Sequence, residues 1–207
     1  MNFKKMMGLA LFFMGFFSLS SLWAVRNMIF GPETFSYLLT KPGSFAFLCN
    51  PLSQGMVGKE YQVNCKVEDV IAGKDLDTGA ALQKGSTYLL RFPVPQINSP
   101  TALFTLPHQF VVGRLELVFL ETGSSRFYSF IGGEAQGRFN VWAHSDGKIM
   151  VGNGLNNLNI FNAKGAATNS YIQQMRVQSE KDQKGWVSFD ELKQLLQSQM
   201  KNFQEGR

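Results

Sequence analysis

Charged side chains are scarce in this chain. They make up 17% of its 207 residues, whereas about a quarter of the residues in a typical soluble domain are charged. The formal net charge is +5, but the sequence contains no run of five or more basic residues. Proteins that bind nucleic acid usually carry such a basic cluster. The composition therefore argues against a nucleic-acid-binding protein, and we expect no nucleic-acid partner.

Residues that support metal and nucleophile chemistry are scarce as well. The only two histidines, His108 and His144, lie far apart in the sequence. No H-E-x-x-H, C-x-x-C, G-x-S-x-G or glycine-rich phosphate motif occurs. We predict no cofactor and no metal, and we interpret the chain as non-enzymatic. A hydrolase without a recognisable motif remains an alternative, because paired carboxylates such as Glu116 and Glu121 need no motif.

The first 24 residues have the order of an export signal. Lys4 and Lys5 form a short basic start, Met6–Phe17 is uncharged and strongly apolar, and small residues then lead to Ala24. This order is typical of a cleaved signal peptide. We therefore expect residues 1–24 to direct export to the periplasm or the outside of the cell. The alternative is an uncleaved membrane anchor over residues 6–25, a stretch just long enough to span a bilayer.

Cysteine is rare too, since Cys49 and Cys65 are the only two. Each lies on the apolar side of a period-two alternation, one in Ser44–Cys49 and the other in Glu60–Glu68. This pattern predicts two neighbouring strands with apolar faces that carry the sulfurs. An even number of cysteines in an exported chain indicates a disulfide. We predict a structural Cys49–Cys65 bond, because redox pairs usually have C-x-x-C spacing.

Short alternating segments separated by turn residues fill the middle of the chain. They cover residues 86–94, 101–106, 109–121, 127–131 and 138–143. The Asp146-Gly147 pair predicts a hairpin before Ile149–Val151, and the asparagine-rich segment 152–165 predicts turns. The pattern is typical of a mainly β fold. We predict an antiparallel β-sandwich or a small barrel-like domain over residues 25–174.

Residues 175–207 are richer in charge and predict a turn followed by an amphipathic α-helix. Ser188 suits the N-cap position, and Glu191 would complete a capping box. One stripe at helical spacing contains Phe189, Leu192, Leu195, Leu196, Gln199 and Phe203. We expect this stripe to pack on the β-rich domain or, alternatively, on a partner protein.

The segment Glu180–Leu192 resembles the calcium-binding loop of the EF-hand family, with Gly185 at the sharp turn and Glu191 at the twelfth position. The resemblance implies side-chain ligands at Glu180, Asp182, Ser188 and Glu191, and a backbone carbonyl ligand at Trp186. The chain departs from the family at Lys184, which places a cation where the loop has an oxygen ligand. We therefore predict a capped helix and no calcium site.

Aromatic and arginine side chains on the outer faces of strands are typical of interfaces. With the helix stripe, they form a candidate interaction surface of Arg126, Tyr128, Phe130, Trp142, Phe189, Leu192, Leu196 and Phe203. We hypothesise a non-enzymatic envelope protein that serves as a protein-interaction or assembly component of a secretion or surface complex. Its partners would be other envelope proteins or further copies of itself. The alternative is a soluble extracytoplasmic binder of a sugar or lipid that uses the Trp142 face.

Overall fold

The structure is a computed structural model that describes residues 30–74, 79–94, 109–122, 127–157, 160 and 185–206. Its strands are β1 (Ser44–Val57), β2 (Glu60–Ala72), β3 (Thr87–Pro93), β4 (Glu116–Thr122), β5 (Tyr128–Phe130), β6 (Arg138–Ala143), β7 (Ile149–Asn153) and β8 (Val187–Ser188). Its helices are α1 (Pro32–Leu39), α2 (Glu134–Gly137) and α3 (Phe189–Glu205). The predicted export signal and the predicted strand 101–106 lie outside the described residues. The predicted mainly β class with a C-terminal helix is confirmed.

The strands form one antiparallel sheet in the order β3-β2-β1-β4-β6-β7-β8. One edge of β4 is shared, because its first residues pair with β6 and its last residues pair with β5. The sheet curls until β5 meets β3. The rings of Phe92 and Phe130 stack with centroids 5.6 Å apart, and the hydroxyls of Tyr88 and Tyr128 are 2.6 Å apart. This half of the sheet is therefore barrel-like.

The inside of the curl is an aromatic core that contains the disulfide. Cys49 and Cys65 are bonded, with their Cα atoms 5.3 Å apart, and both are fully buried. The predicted disulfide is thus confirmed. The buried residues of this core are Phe45, Phe47, Cys49, Tyr61, Val63, Cys65, Val67, Leu90, Phe92, Phe110, Val118, Leu120 and Tyr128. They alternate along β1, β2 and β4, as the period-two pattern requires.

The opposite face of the sheet packs against α1 and α3. Ala46 and Leu48 of β1 point to this side, as do Leu117 and Phe119 of β4. The helix contributes Phe189, Leu192, Leu195 and Leu196, all of them buried. The central strands therefore bury both of their faces, which explains how the chain accommodates so many apolar residues and so few charges.

Helix α3 begins where the sequence predicts, with Ser188 in extended conformation at the N-cap position. The predicted capping box is not formed, because within the described chain the Ser188 side chain makes no capping hydrogen bond. Helix α1 was not predicted from the sequence. It starts with proline in the first turn, where the missing N–H costs nothing. The Ser36 hydroxyl of α1 donates to Oε1 of Gln199 at 2.9 Å, which joins the two helices.

Candidate functional site

The hypothesised interaction surface does not form one exposed patch. Tyr128 lies inside the curl, and Phe189, Leu192 and Leu196 are buried between α3 and the sheet. These four side chains therefore cannot reach a partner, because the sheet itself covers them. Phe130 is half-buried against Phe92 and Phe110. Trp142 and Phe203 are exposed, and Arg126 lies outside the described residues.

Among the described residues, the most exposed apolar side chains lie on the hairpin of β1 and β2. Strand β1 pairs with β4 only from Ser44 to Cys49, and the hairpin continues to its tip at Gly58-Lys59. Met56 and Val57 are 58% and 57% exposed, and Leu52 is also exposed. We call residues 52–57 the hairpin edge. The sequence predicts no strand or binding surface for this segment, because Gly55 and Gly58 are typical of turns.

The turn fixes which peptide groups of the hairpin edge point outward. Gly58 has φ +63°, which suits the first position of a two-residue type II′ turn. The flanking residues Val57 and Glu60 then form a hydrogen-bonded pair, and such pairs alternate along the hairpin. The peptide groups of Gln54 and Met56 consequently point away from β2. Among the described residues, no strand pairs with that side of β1 beyond Cys49.

A second apolar segment adjoins the base of the hairpin edge. The N–H of Gly113 donates to the carbonyl of Pro51 at 2.8 Å, so the loop before β4 runs beside β1 there. Val111 and Val112 in this loop are both more than half exposed. The hairpin edge and these two valines together form an apolar surface, and within the described part of the chain no strand pairs with the outward backbone groups of the hairpin edge. Such a surface is suited to binding an extended segment of another protein.

Polar contacts of Tyr61, which pairs with Met56 near the tip of the hairpin, link the hairpin to the loop before β4. The Tyr61 hydroxyl donates to the Gln54 side chain and accepts the N–H of Phe110 at 3.3 Å. Burial raises the pKa of Tyr61, while the Phe110 hydrogen bond works against that rise. The tyrosine therefore remains a neutral hydrogen-bonding group at physiological pH. It connects the exposed hairpin to the core inside the curl.

An ion-pair network lies beneath Phe110. The Arg138 guanidinium stands 4.6 Å from the centre of the Phe110 ring and pairs with buried Glu116 and with Glu134. Burial alone would lower the pKa of Arg138, but hydrogen bonds and charge from Glu116 and then Glu134 raise it. The arginine therefore stays charged. Both carboxylates accept hydrogen bonds from Arg138, so we assign this network to structure rather than to acid–base catalysis.

A cavity of about 410 Å³ opens beside the start of α3. Its lining includes Leu48, Asn50, Glu68, Asp69, Lys84, Leu115, Ile149, Phe189 and Asp190. The pKa of Glu68 is lowered, chiefly by the hydrogen bond from Lys66, so this carboxylate is a poor general acid. Asp69 accepts a hydrogen bond from Lys193 at 2.6 Å. Both carboxylates are thus engaged with lysines, and the described lining residues include no nucleophile with an adjacent base.

The structure brings no catalytic or metal-binding constellation together in the part of the chain it describes. No three His, Cys, Asp or Glu side chains cluster there in a way that could hold a metal ion. His144 contacts Asp146 at 2.9 Å on the exposed β6–β7 turn. This contact shapes the turn, since the same Asp146 oxygen also accepts the N–H of Lys148. Residues 180–184 of the predicted calcium-like loop lie outside the described residues.

Comparison with protein-family models and with curated proteins found no match for this chain. Among the described residues, none of the helices combines the length and the apolar character needed to cross a membrane. The candidate site is therefore identified from the structure alone. It is an exposed strand edge on a disulfide-bonded β domain.

Proposed function

We propose that this protein is an exported, non-enzymatic component of an envelope assembly, and that it binds another exported protein through the hairpin edge. The observation that carries the proposal is the combination of outward-pointing peptide groups at Gln54 and Met56 with exposed apolar side chains beside them. A partner segment in extended conformation would add a strand to β1, and its side chains would cover Met56 and Val57. Main-chain hydrogen bonds would provide affinity, and the apolar contacts would provide selectivity.

The occupant we favour is a segment of a different protein rather than a second copy of this chain. A stable dimer usually buries about 800 Å² on each partner. The hairpin edge is short, because β1 turns at Gly58, and two such edges would bury much less than that. An extended segment can instead continue past the edge onto Val111 and Val112, which adjoin it.

The extracytoplasmic location is part of the proposal. The Cys49–Cys65 disulfide supports it, because such bonds persist in oxidising compartments and are rare in the cytosol. The basic, apolar and small-residue order of residues 1–24 supports it independently. Sequencing the N-terminus of protein isolated from the producing cell should give Val25 as the first residue. A soluble cytosolic form that retains Met1 would contradict the proposal.

Site-specific crosslinking tests the binding surface directly. A photoreactive amino acid at Met56 should give a discrete crosslinked product with one partner protein in the producing cell. The same group at Phe203, which is exposed on α3, is the matched control and should give none. The proposal requires that Val57→Asp abolish the product and that the crosslink map to one contiguous segment of the partner. A product with the mass of two copies of this chain, or equal products from both positions, would overturn it.

A further inference from the structure

We propose that the thioether of Met56 is an oxidation site, and that its conversion to the sulfoxide weakens binding of the partner strand at the hairpin edge. The co-reactant is a two-electron oxidant of the peroxide class, such as hydrogen peroxide. This inference rests on the proposed function, because it assigns a regulatory role to one side chain of that binding surface.

The chain offers such an oxidant no thiol. Its only two cysteines are Cys49 and Cys65, and their sulfurs are joined in the disulfide. Both residues are fully buried, so an oxidant in solution does not reach them. Thiolates are otherwise the sulfur groups that peroxides attack most readily, and the thioether of methionine is also oxidised. The reactive sulfur of this protein is therefore that of methionine.

The described methionines differ in how well an oxidant can reach them. Met56 is 58% exposed, whereas Met150 is only 8% exposed. Met200 is partly buried against the core between α3 and the sheet. Because the oxidant must reach the sulfur from solvent, we expect Met56 to react first among these three residues.

The reaction forms one bond at the sulfur and breaks one bond in the oxidant. A lone pair of the Met56 sulfur attacks one oxygen of hydrogen peroxide, the S–O bond forms and the O–O bond breaks. The sulfur loses two electrons and the peroxide gains them. The remaining oxygen leaves with both peroxide protons as one water molecule. The product is a polar, chiral sulfoxide in place of a flexible apolar side chain.

The strand register determines which part of a partner would face the sulfoxide. Met56 is directly opposite Tyr61 in the β1–β2 pair, and Tyr61 belongs to the aromatic core. The Met56 side chain is therefore on the side of the hairpin that continues the inside of the curl. A strand added to the hairpin edge would place one residue beside Met56, at a Cβ–Cβ distance of about 5 Å.

Oxidation changes the side-chain contact and leaves the backbone contact in place. An apolar partner residue packs well against a thioether, but it would bury the sulfoxide oxygen without a hydrogen-bond donor, which is unfavourable. The outward N–H and carbonyl of Met56 are unaltered, so the partner strand can still form its main-chain hydrogen bonds. We therefore expect binding to weaken by about tenfold and not to disappear.

The first measurement concerns oxidation alone and needs no partner. The full chain is treated with hydrogen peroxide, the reaction is stopped with catalase, and peptide mapping by mass spectrometry follows each methionine with time. We expect the Met56 sulfoxide to form several times faster than those of Met150 and Met200. The melting temperature should stay unchanged at this stage, because Met56 lies outside both cores. Equal rates at the three positions would overturn the inference and leave the proposed function intact.

The second measurement shows whether the sulfoxide acts on binding. The protein carries a photoreactive amino acid at Val57, is oxidised and freed of peroxide, and is then added to envelope extract of the producing cell. At limiting extract, the yield of the discrete crosslinked product should fall by about tenfold. Treatment with methionine sulfoxide reductase should restore it.

Met56→Leu is the matched control, because leucine keeps an apolar side chain and has no sulfur. This variant should give the same crosslink before and after peroxide. An equal loss in Met56→Leu would assign the effect to another residue and overturn the inference. An unchanged yield from parent protein whose Met56 is oxidised would also overturn it, without touching the proposed function. The absence of a crosslink from untreated protein would instead contradict the proposed function, and the inference would fall with it.

Discussion

Arg138 donates two parallel hydrogen bonds to Glu116, from Nε to Oε2 at 2.6 Å and from Nη2 to Oε1 at 2.9 Å. The pair joins β6 to β4 at the point where β4 begins. Glu116 is almost completely buried and Arg138 is largely so, so the contact is screened very little by water. Nη1 of the same guanidinium donates a hydrogen bond to a second carboxylate, that of Glu134.

Removing one member of this pair should destabilise the protein strongly. Glu116→Gln leaves a buried guanidinium without its main counter-charge, and we expect the free energy of unfolding to fall by about 3 kcal/mol. Chemical denaturation at neutral pH measures the change. Glu134→Gln is the matched control and should cost about 1 kcal/mol or less, because Glu134 is more exposed. The double variant Glu116→Leu with Arg138→Met should lose less than Glu116→Gln, and an equal or larger loss would contradict the argument.

We expect the disulfide to stabilise the fold and to have no role in redox chemistry or in binding. It closes a loop with a sequence separation of 16, and constraining such a loop in the unfolded chain is worth about 3 kcal/mol in the chain-entropy model. Replacing Cys49 and Cys65 together with alanine should lower the melting temperature. The hairpin-edge crosslink should persist in the folded variant. Two alkylatable thiols in protein isolated from its native compartment would show that the bond does not form there.

The sequence predicts the disulfide and the strands around it because alternation is a local property. Cys49 and Cys65 each stand in a clean period-two pattern, and the strands are close in sequence. The position of Tyr128 could not be obtained in this way, because its face is decided by the curl that brings β5 to β3. The same limit applies to Trp186, whose contact with Gly152 depends on pairing between two distant segments.

The hairpin edge shows a different limit of sequence reasoning. Gly55 and Gly58 are typical of turns, so local propensity does not predict a strand through Met56 and Val57. The strand nevertheless continues through Gly55 to Val57, because β2 supplies a partner all along the hairpin. Strand length here is set by pairing with β2 and not by local propensity alone.

Asp146 should make stability depend on pH in the acid range. The backbone N–H of Lys148, followed by the His144 side chain, lowers the pKa of Asp146 from 3.8 to about 2. Because the folded pKa lies below the unfolded one, the stabilisation is fully present above pH 3.8 and is lost as the pH falls towards 2. An NMR titration of the Asp146 carboxyl carbon measures the folded value directly. Asp146→Asn should remove this part of the acid dependence, and a midpoint near 4 in the parent would contradict the prediction.

The buried stripe of α3 should act in packing and not in calcium binding. Leu196 is fully buried against the sheet, so Leu196→Ala should lower the free energy of unfolding by about 2 to 5 kcal/mol. Gln194→Ala, on the exposed side of the same helix, should leave stability nearly unchanged. Calorimetry with calcium should give no heat. Stoichiometric calcium binding that is lost in Glu191→Gln would show that the calcium-like loop is functional after all.

Backbone hydrogen bonding at the hairpin edge can be separated from side-chain contact at a single position. Met56→Ala removes the side chain and keeps the outward N–H, whereas Met56→Pro removes both and takes no hydrogen bond from the β1–β2 pair. With the photoreactive amino acid placed at Val57 instead, we expect Met56→Ala to weaken the crosslink to the partner and Met56→Pro to abolish it. The two variants should differ in stability by about 1 kcal/mol or less. Gly55→Pro is the contrasting control, because the Gly55 N–H points to β2 and its loss should destabilise the hairpin itself. If Met56→Pro crosslinked as well as Met56→Ala, the partner would be held by side chains alone, and strand addition would be the wrong mechanism.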